Sequence, residues 1–398
     1  MDPLFTFHLS AIRQVDRRFT RFLYDNINWD QRMLAIKGPR GAGKTTLMLQ
    51  RIKFGLSLSA TQALYVTADH YWFYTHTLFE TAEAFYLNGG RFLFIDEVHK
   101  YPYWARELKN MYDGFPELRI VFSASSALDI YRGGADLSRR VMTYELPGMS
   151  FREYLGLKQI FAHPTLSLEE LLLNHESVSA DMLGSFQPLP LFRSYLSTGY
   201  LPIIVNTREE DVPALLNQII NTVVESDLSV IANFDGGTAQ KIKKLLGVIA
   251  ESVPFKPNIS AIARKLNVSR ESVYAWFTYL DEARLLNMLT RKGKGISTLQ
   301  KPEKVFLENT NLSYALRQTP DAGSLRESFV MNQLSNAGLK PLLPETGDFL
   351  VEDVHIEVGG KQKTARQLSG ANRSFIAADD IEQGYGNKLP LWLLGFLY

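Results

Sequence analysis

A glycine-rich segment near the start of the chain combines the residue types that bind phosphate groups. Residues 38–45 fit the spacing G-x-x-x-x-G-K-[S/T]. In such a loop the glycines let backbone N–H groups face the phosphates, Lys44 reaches the β- and γ-phosphates, and Thr45 offers its hydroxyl to Mg²⁺. The sequence therefore predicts ATP or a similar triphosphate as the ligand. The predicted binding residues are Gly38, Pro39, Arg40, Gly41, Ala42, Gly43, Lys44, Thr45 and Thr46.

The segments on either side favour a phosphate-binding loop (P-loop) over an ordinary glycine-rich turn. The apolar residues 33–36 predict a strand before the loop. Residues 46–54 predict a helix after it, ended by Gly55. This order of strand, loop and helix is the one in which backbone N–H groups at the start of a helix meet a phosphate.

Two adjacent acids end the apolar strand predicted for residues 91–97. In this layout Asp96 holds the Mg²⁺ and its water shell, and Glu97 is the base that polarises the attacking water. A buried parallel strand with two solvated acids at its end is the alternative. The position of the pair downstream of the Lys44 loop favours the site.

Further polar residues follow on two more predicted strands, residues 120–125 and 141–145. Ser123 and Ser125 lie beside the γ-phosphate if the first of these strands lies between the P-loop strand and the Asp96 strand; otherwise they are ordinary turn or capping residues. Arg139 and Arg140 either reach the γ-phosphate, from the same or a neighbouring subunit, or form a plain surface pair.

Five runs of sequence resemble the prokaryotic AAA-type P-loop ATPases that carry a C-terminal DUF4143 region. They are residues 96–104, 108–113, 123–126, 136–140 and 146–155. The resemblance implies that Lys44, Thr45, Asp96 and Glu97 bind and hydrolyse ATP with Mg²⁺. One departure is Ala124, where the family usually has glycine, and it leaves Ser125 as the better sensor candidate. The candidate catalytic residues are Glu97, Lys44, Ser125 and Arg139.

The composition limits the class of protein. A chain of 398 residues, 45% of them hydrophobic, is long enough for two or three domains. The absence of cysteine excludes disulfides and thiol catalysis. There is no apolar run of membrane-spanning length, and the first residues lack the order of a secretory signal, so we expect a cytoplasmic protein without membrane contact. With a net charge of +1, any nucleic-acid contact must come from a local patch.

The pattern of predicted elements divides the chain into four parts. Residues 1–150 alternate strand and helix, as expected for the α/β parallel sheet of a P-loop NTPase. A helical lid or connector follows over residues 151–237, then a winged-helix domain over residues 238–300. Residues 301–398 are predicted to form an α/β domain that resembles the PD-(D/E)xK nucleases, to which the family's DUF4143 region is related.

The third part has helix-turn-helix spacing. Residues 260–266 and 269–280 predict two helices separated by a short turn, with Ser269 as the N-cap of the second. Residues 288–296 predict a hairpin wing with basic residues at its tip. The winged helix is expected either to bind DNA, or to dock a protein or serve structure alone. The candidate DNA contacts are Arg270, Tyr274, Arg291, Lys292 and Lys294.

The last part contains a possible second metal site. Glu327 on a predicted helix, Asp348 at the start of a strand and Glu357 after a turn follow the order of acids in the nuclease core. The nuclease lysine, expected two residues after Glu357, is replaced by Gly359. Lys361, or Lys363 with the same strand parity, would have to take its place. A degenerate fold kept for DNA or partner binding is favoured over an active nuclease.

The sequence thus predicts an ATPase that binds ATP and uses Mg²⁺ to hydrolyse it, driving or switching a C-terminal winged-helix and nuclease-like region. Two alternatives remain open. One is a nucleotide-responsive switch that binds DNA or protein with negligible turnover, and the other is an ATP-gated metal-dependent nuclease. A protein partner or a homo-oligomer is compatible with all three.

Overall fold

A computed structural model describes residues 1–56, 61–124, 137, 139–232, 234–251, 253–291, 302–317, 319–364 and 373–398. These residues form two compact units, Met1–Gly148 and Met149–Tyr398. The boundaries predicted near residues 237 and 300 lie within the second unit.

The first unit is built on a five-stranded parallel sheet with the spatial order β2-β3-β4-β1-β5. The predicted parallel α/β core is therefore confirmed. The strands are β1 (Met33–Lys37), β2 (Ala63–Thr67), β3 (Phe92–Asp96), β4 (Arg119–Ala124) and β5 (Met142–Glu145). The helices are α1 (Asp2–Arg13), α2 (Leu23–Asn26), α3 (Lys44–Gln50), α4 (Leu78–Leu87) and α5 (Trp104–Gly114).

Apolar side chains cover both faces of this sheet. Along β1, Met33 and Ala35 belong to one buried cluster, whereas Leu34 and Ile36 belong to another. Helices α4 and α5 contribute to the first cluster and α3 to the second. Because each buried leucine or isoleucine stabilises the fold by about 1.5–3 kcal/mol, the sheet is a firm base for the loops that leave its carboxyl edge.

The helix after the P-loop begins earlier than predicted. It starts at Lys44, because Gly43 in the left-handed conformation (φ 94°) is its N-cap, and it continues as a π-type turn over Arg51–Gly55. The predicted end at Gly55 is confirmed. A Cβ atom there would lie 2.6 Å from the hydroxyl of Tyr24 and 2.8 Å from the Arg51 side chain, so a larger residue would displace the ends of these two side chains.

The second unit begins with helices. They are α6 (Phe151–Leu157), α7 (Leu168–Leu183), α8 (Pro188–Thr198), α9 (Val212–Thr222), α10 (Ser229–Ala232) and α11 (Gly236–Glu251). The end of α7 was predicted at residue 174, which is wrong. Its second half buries the polar residues His175 and Ser179, which interrupt the apolar periodicity. The Ser179 hydroxyl both donates to the His175 carbonyl (2.6 Å) and accepts from the Gly384 N–H (3.0 Å), so its burial is satisfied.

Helices α12 (Ile259–Leu266) and α13 (Arg270–Glu282) form the predicted helix-turn-helix, and the Ser269 side chain caps α13. Strand β6 (Leu286–Leu289) follows and pairs in antiparallel fashion with β7 (Lys304–Leu307). The hairpin predicted within residues 288–296 is therefore wrong in extent. The second strand lies further along because Val305, Phe306 and Leu307 supply fully buried apolar side chains, whereas residues 291–295 are basic or glycine.

The rest of the second unit is a four-stranded mixed sheet with the order β11-β10-β9-β8, preceded by two helices. The helices are α14 (Thr310–Leu316) and α15 (Ala322–Asn336), and the strands are β8 (Phe349–Val351), β9 (Val354–Gly359), β10 (Ser374–Ala378) and β11 (Lys388–Pro390). The apolar C-terminal segment, predicted as one strand, is a strand only as far as Pro390. It continues as a buried 3₁₀ helix, Leu391–Phe396.

Within the residues that the structure describes, no helix combines the length and the hydropathy needed to cross a membrane.

Candidate nucleotide-binding site

The P-loop joins the end of β1 to the start of α3. Gly41 (φ 84°) and Gly43 (φ 94°) adopt backbone conformations that side chains disfavour. A Cβ atom on Gly38 would lie 2.1 Å from the carbonyl oxygen of Leu146, so the loop passes directly against the chain after β5. No side chain caps α3. The loop thus leads into a helix N-terminus, the kind of position at which backbone N–H groups bind an anion.

Lys44 points back into the loop. Its buried ammonium donates to the carbonyl oxygens of Gly38 (2.8 Å) and Pro39 (3.0 Å). A second cation braces the loop from outside, because the guanidinium of the buried Arg21 donates to the carbonyl of Ala42 and to that of Pro147 (2.8 Å). The loop is thus held at two points by charged donors.

Asp96, at the end of β3, is buried and receives hydrogen bonds from three hydroxyl groups. Thr45 donates to its Oδ2 atom (2.6 Å), Tyr65 donates to the same atom (2.9 Å), and Ser123 donates to Oδ1. A carboxylate and a threonine hydroxyl at one point form an oxygen donor set that fits Mg²⁺. The residues present are those needed to hold the ion beside a nucleotide.

The serine that reaches Asp96 is Ser123. Strand β4 lies between β1 and β3, as the proposed role of this serine required. The favoured sensor candidate, Ser125, lies outside the described residues.

Glu97 lies in the left-handed region of backbone space (φ 50°). Its N–H donates to Asp96 Oδ1 (3.1 Å) and to the Ser123 hydroxyl (3.0 Å), which offsets part of the roughly 1–2 kcal/mol that this conformation costs. In a regular strand, successive side chains such as those of Asp96 and Glu97 point to opposite faces of the sheet. The left-handed turn at Glu97 interrupts this alternation at the carboxyl edge.

The carboxylate of Glu97 forms an ion pair with Lys100, whose ammonium also contacts Asp69 at 2.6 Å. Burial raises the pKa of Glu97, but the hydrogen bond and charge of Lys100 outweigh it, so the net direction is downward. Glu97 is thus ionised at neutral pH, as a base must be.

His99 follows Glu97 by two residues, and the charge of Glu97 acts on its imidazole. Burial lowers its pKa to about 4, and the charges of Lys44 and Lys100 act in the same direction. The imidazole is therefore neutral at physiological pH.

Arg139 and Arg140 lie just before β5, at the amino edge of the sheet. Arg140 pairs with Asp113 through two hydrogen bonds of 2.9 and 3.0 Å, whereas Arg139 is exposed. The P-loop and Asp96 lie at the opposite, carboxyl edge. Arg139 therefore lies at the edge opposite the phosphate site of its own subunit, which leaves two of the predicted alternatives, contact with a phosphate in a neighbouring subunit or a plain surface position.

Several residues of this site could not be found from sequence. Tyr65 and Arg21 are separated by tens of residues from the groups they contact, and neither belongs to a motif. Lys100 is close to Glu97 in sequence, and its spacing of three residues was the available signal.

The C-terminal acids are paired with lysine amines. Lys304 lies 3.0 Å from Glu327 and 3.7 Å from Asp348, and Lys363 lies 2.6 Å from Glu357. Burial raises the pKa of Glu327 and that of Glu357, and the charge of Asp348 adds to both.

Asp348 and Glu357 project from the same face, since the register of β8 and β9 places them opposite one another. Lys361 is exposed, and Lys363 is the lysine that reaches the cluster. In the described part of the chain, no group of three or more acidic or histidine side chains is arranged to hold a metal ion. The structure thus pairs these acids with amines instead of grouping them around a metal.

Among the candidate DNA contacts, Arg270 and Tyr274 are exposed on α13. Arg291 lies 3.7 Å from Glu303 across the hairpin. Lys292 and Lys294 lie outside the described residues.

Comparison with known families adds two matches. Residues 30–155 match the AAA domain family. Together with the parallel sheet and the P-loop, this match supports a P-loop ATPase domain of the AAA type over residues 30–155. Residues 189–322 match DUF8612, a domain of unknown function. This match covers part of the predicted connector and the predicted winged helix, and it overlaps the region for which the resemblance implied DUF4143, residues 301–398, over residues 301–322.

Similar individual proteins include the uncharacterized protein MJ1637 of Methanocaldococcus jannaschii. It is 26% identical, and the match covers 93% of this chain and 85% of that protein. The Walker-type ATPase PABY2304 of Pyrococcus abyssi has a TM-score of 0.47 at 10% identity, covering 75% of this chain and 96% of that one. PCH-2 of C. elegans has a TM-score of 0.23 at 13% identity, covering 69% and 67%. Both scores are too low for any conclusion about this chain.

Proposed function

We propose that the protein binds ATP and hydrolyses it with Mg²⁺, and that this cycle drives or switches the second unit. The observation that carries the proposal is the meeting of Thr45, Ser123 and Asp96 behind the P-loop, with Glu97 directly after Asp96. The carboxyl edge of the sheet thus carries oxygen ligands for Mg²⁺, donors for phosphate and an ionised base.

In this proposal each side chain has a separate task. The N–H groups of the P-loop and the Lys44 ammonium bind the β- and γ-phosphates, and Thr45 and Asp96 hold Mg²⁺, directly or through water. When bound, the ion would supply positive charge against the charge that develops on the phosphates. Glu97 orients the attacking water and accepts its proton. Arg139, at the amino edge of the sheet, acts in this proposal on the nucleotide of a neighbouring subunit.

The test is phosphate release from ATP by the purified chain with Mg²⁺, with EDTA and with ADP in place of ATP. Metal-dependent release is expected. Binding of ATP without measurable release would favour the nucleotide-responsive switch that turns over negligibly.

A nuclease function has weaker support. The pairing of Glu327 and Asp348 with Lys304 supplies internally the positive charge that a metal would bring. We therefore propose that the C-terminal cluster serves the fold and does not cleave DNA. Nicking of supercoiled plasmid that requires Mg²⁺ and is lost in Glu357→Gln would contradict this.

A further inference from the structure

The segment from α11 to the β6–β7 hairpin concentrates positive charge. Residues 236–300 contain eleven lysines and arginines but only four acids, whereas the net charge of the whole chain is +1. The remainder of the chain is therefore net acidic. A local basic patch of this kind is the electrostatic footprint of an anionic partner.

Three of these cations lie around the turn of the helix-turn-helix, where Glu271, directly after Arg270, is the neighbouring acid. Arg264 and Lys265 at the end of α12 and Arg270 at the start of α13 are exposed. Within the described ranges, none of the three forms an ion pair. By contrast, Lys243 on the neighbouring helix α11 is paired with Glu225 at 2.6 Å. The positive charge of Arg264, Lys265 and Arg270, clustered around the turn between α12 and α13, is thus available to a ligand.

This surface combines a groove with a polar helix face. Arg264, Asn267, Ser269, Arg270 and Glu271 line a surface groove of about 770 Å³. The side of α13 that packs inward is apolar: Val273, Trp276, Phe277 and Leu280. The opposite side is polar: Arg270, Glu271, Tyr274 and Thr278. A polar helix face on an apolar base is the form in which a helix enters a groove.

The strands behind α13 complete the topology. Phe255, between α11 and α12, exchanges two backbone hydrogen bonds of 2.8 Å with Val305 on β7. The order of elements is then helix, strand residue, two helices and two strands, with the first strand residue paired to the last strand. This is the order of a winged helix, in which α13 is the recognition helix.

We infer that the surface formed by α12 and α13 binds double-stranded DNA. This inference rests on the proposed function in one respect, which is that the second unit is the part of the chain that ATP hydrolysis switches. Arg264 and Lys265 contact phosphates, and the polar face of α13 lies in the major groove. The major groove of B-form DNA admits an α-helix, whereas that of duplex RNA is too deep and narrow.

Fluorescence anisotropy of a short labelled DNA duplex of mixed sequence tests this. The variant Arg264→Ala/Lys265→Ala/Arg270→Ala is compared with Lys158→Ala/Arg208→Ala/Lys340→Ala, which removes three exposed cations elsewhere in the second unit. The wild type is expected to bind with a dissociation constant of order 10⁻⁶ to 10⁻⁴ M, with strong salt dependence. The first variant should lose affinity about tenfold or more, and its salt slope should fall by about two, one for each phosphate contact removed; the control should change little.

Wild-type affinity in the first variant would overturn the inference, and so would an equal loss in the control. Tighter binding of duplex RNA, or of a labelled polyglutamate peptide, would replace DNA by another class of partner. If the triple variant melts early, the single variants Arg264→Ala and Lys265→Ala should each lower the salt slope by about one. ATP turnover is measured on the same samples. DNA binding without turnover would count against the proposed function alone, and turnover without DNA binding against this inference alone.

Discussion

At the scale of single residues, three hydroxyl groups fix the carboxylate of Asp96 from three segments of the chain. Thr45 belongs to the P-loop, Ser123 to β4 and Tyr65 to β2. Tyr65 is itself held by stacking on Phe7, with ring centroids 5.9 Å apart. Burial and the neighbouring charge of Asp96 raise the pKa of Tyr65 well above its ordinary value, so the phenol remains a donor at every physiological pH.

Replacing Tyr65 by phenylalanine tests whether this hydrogen bond positions the metal residue. The ring and its stacking remain, but Asp96 loses one donor. We expect Mg²⁺ to bind the ATP complex about tenfold more weakly, because partners of metal ligands contribute on that order. Calorimetric titration of Mg²⁺ into protein with ATP measures the change. Tyr71→Phe is the control, since Tyr71 is an exposed tyrosine of the same unit. Unchanged Mg²⁺ affinity in Tyr65→Phe would remove this role.

Lys44→Ala is expected to abolish ATP binding while the fold remains. The lysine also bonds two carbonyls of the loop, so the free energy of unfolding should fall by about 1–3 kcal/mol. Titration calorimetry with ATP and far-ultraviolet circular dichroism give the two measurements. Lys53→Ala, at a lysine that bonds the Val15 carbonyl (2.6 Å), is the matched control. Normal ATP affinity in Lys44→Ala would show that the site is elsewhere.

At the scale of elements, α1 covers the edge of the sheet. Strand β2 is the edge strand, and its Tyr65 N–H donates to Nδ1 of His8 on α1 (2.9 Å). This satisfies a backbone group that an edge strand would otherwise expose. Burial lowers the pKa of His8 to about 4. The imidazole must therefore stay neutral for α1 to remain docked.

The linkage gives a pH dependence of stability. An unfolded His8 takes up a proton near its ordinary pKa of 6.5, whereas the folded one does so only near 4, so the unfolded state binds more protons between these values. Stability from this group is present above pH 6.5 and is lost as the pH falls towards 4, by about 2–3 kcal/mol.

The variant His8→Asn lacks this pH-dependent loss of stability. The difference in unfolding temperature between the wild type and His8→Asn should therefore become smaller as the pH is lowered from 7 to 5. The contribution of His99 is common to both proteins and cancels. His76→Asn, at an exposed histidine of the same unit, is measured alongside as the comparison variant. A constant gap in His8→Asn would contradict the burial argument.

Local patterns predicted the elements well and their partners poorly. The P-loop, the Asp96–Glu97 pair and the helix-turn-helix are contiguous in sequence, and the structure has the predicted elements there. The hairpin extent was wrong because the partner of β6 lies beyond a stretch without an apolar pattern. Tyr65 and Arg21 were missed because contacts between distant segments leave no periodicity to detect.

At the scale of the whole molecule, the parallel sheet separates two groups of candidate residues. The P-loop and Asp96 lie at its carboxyl edge and Arg139 at its amino edge. One chain cannot bring them together. If Arg139 contributes to hydrolysis, two copies of the chain must share a site.

Mixing two inactive variants tests this sharing. Arg139→Ala keeps its own P-loop but lacks the arginine, whereas Lys44→Ala lacks ATP binding but presents an intact Arg139. A mixture of the two variants should recover part of the wild-type turnover. Arg140→Ala is the control, and it should not reproduce the loss of turnover caused by Arg139→Ala, because Arg140 is paired with Asp113. If Arg139→Ala alone is as active as the wild type, the arginine has no role.

The central claim is that Glu97 activates water for ATP hydrolysis, and steady-state phosphate release by Glu97→Gln, with ATP affinity measured in parallel, tests it most directly. Glutamine keeps the size of the side chain but not its capacity to accept a proton. We expect unchanged ATP affinity and turnover lowered by a factor on the order of a hundred or more. Equal turnover in Glu97→Gln and the wild type would contradict the account and assign the base to another group.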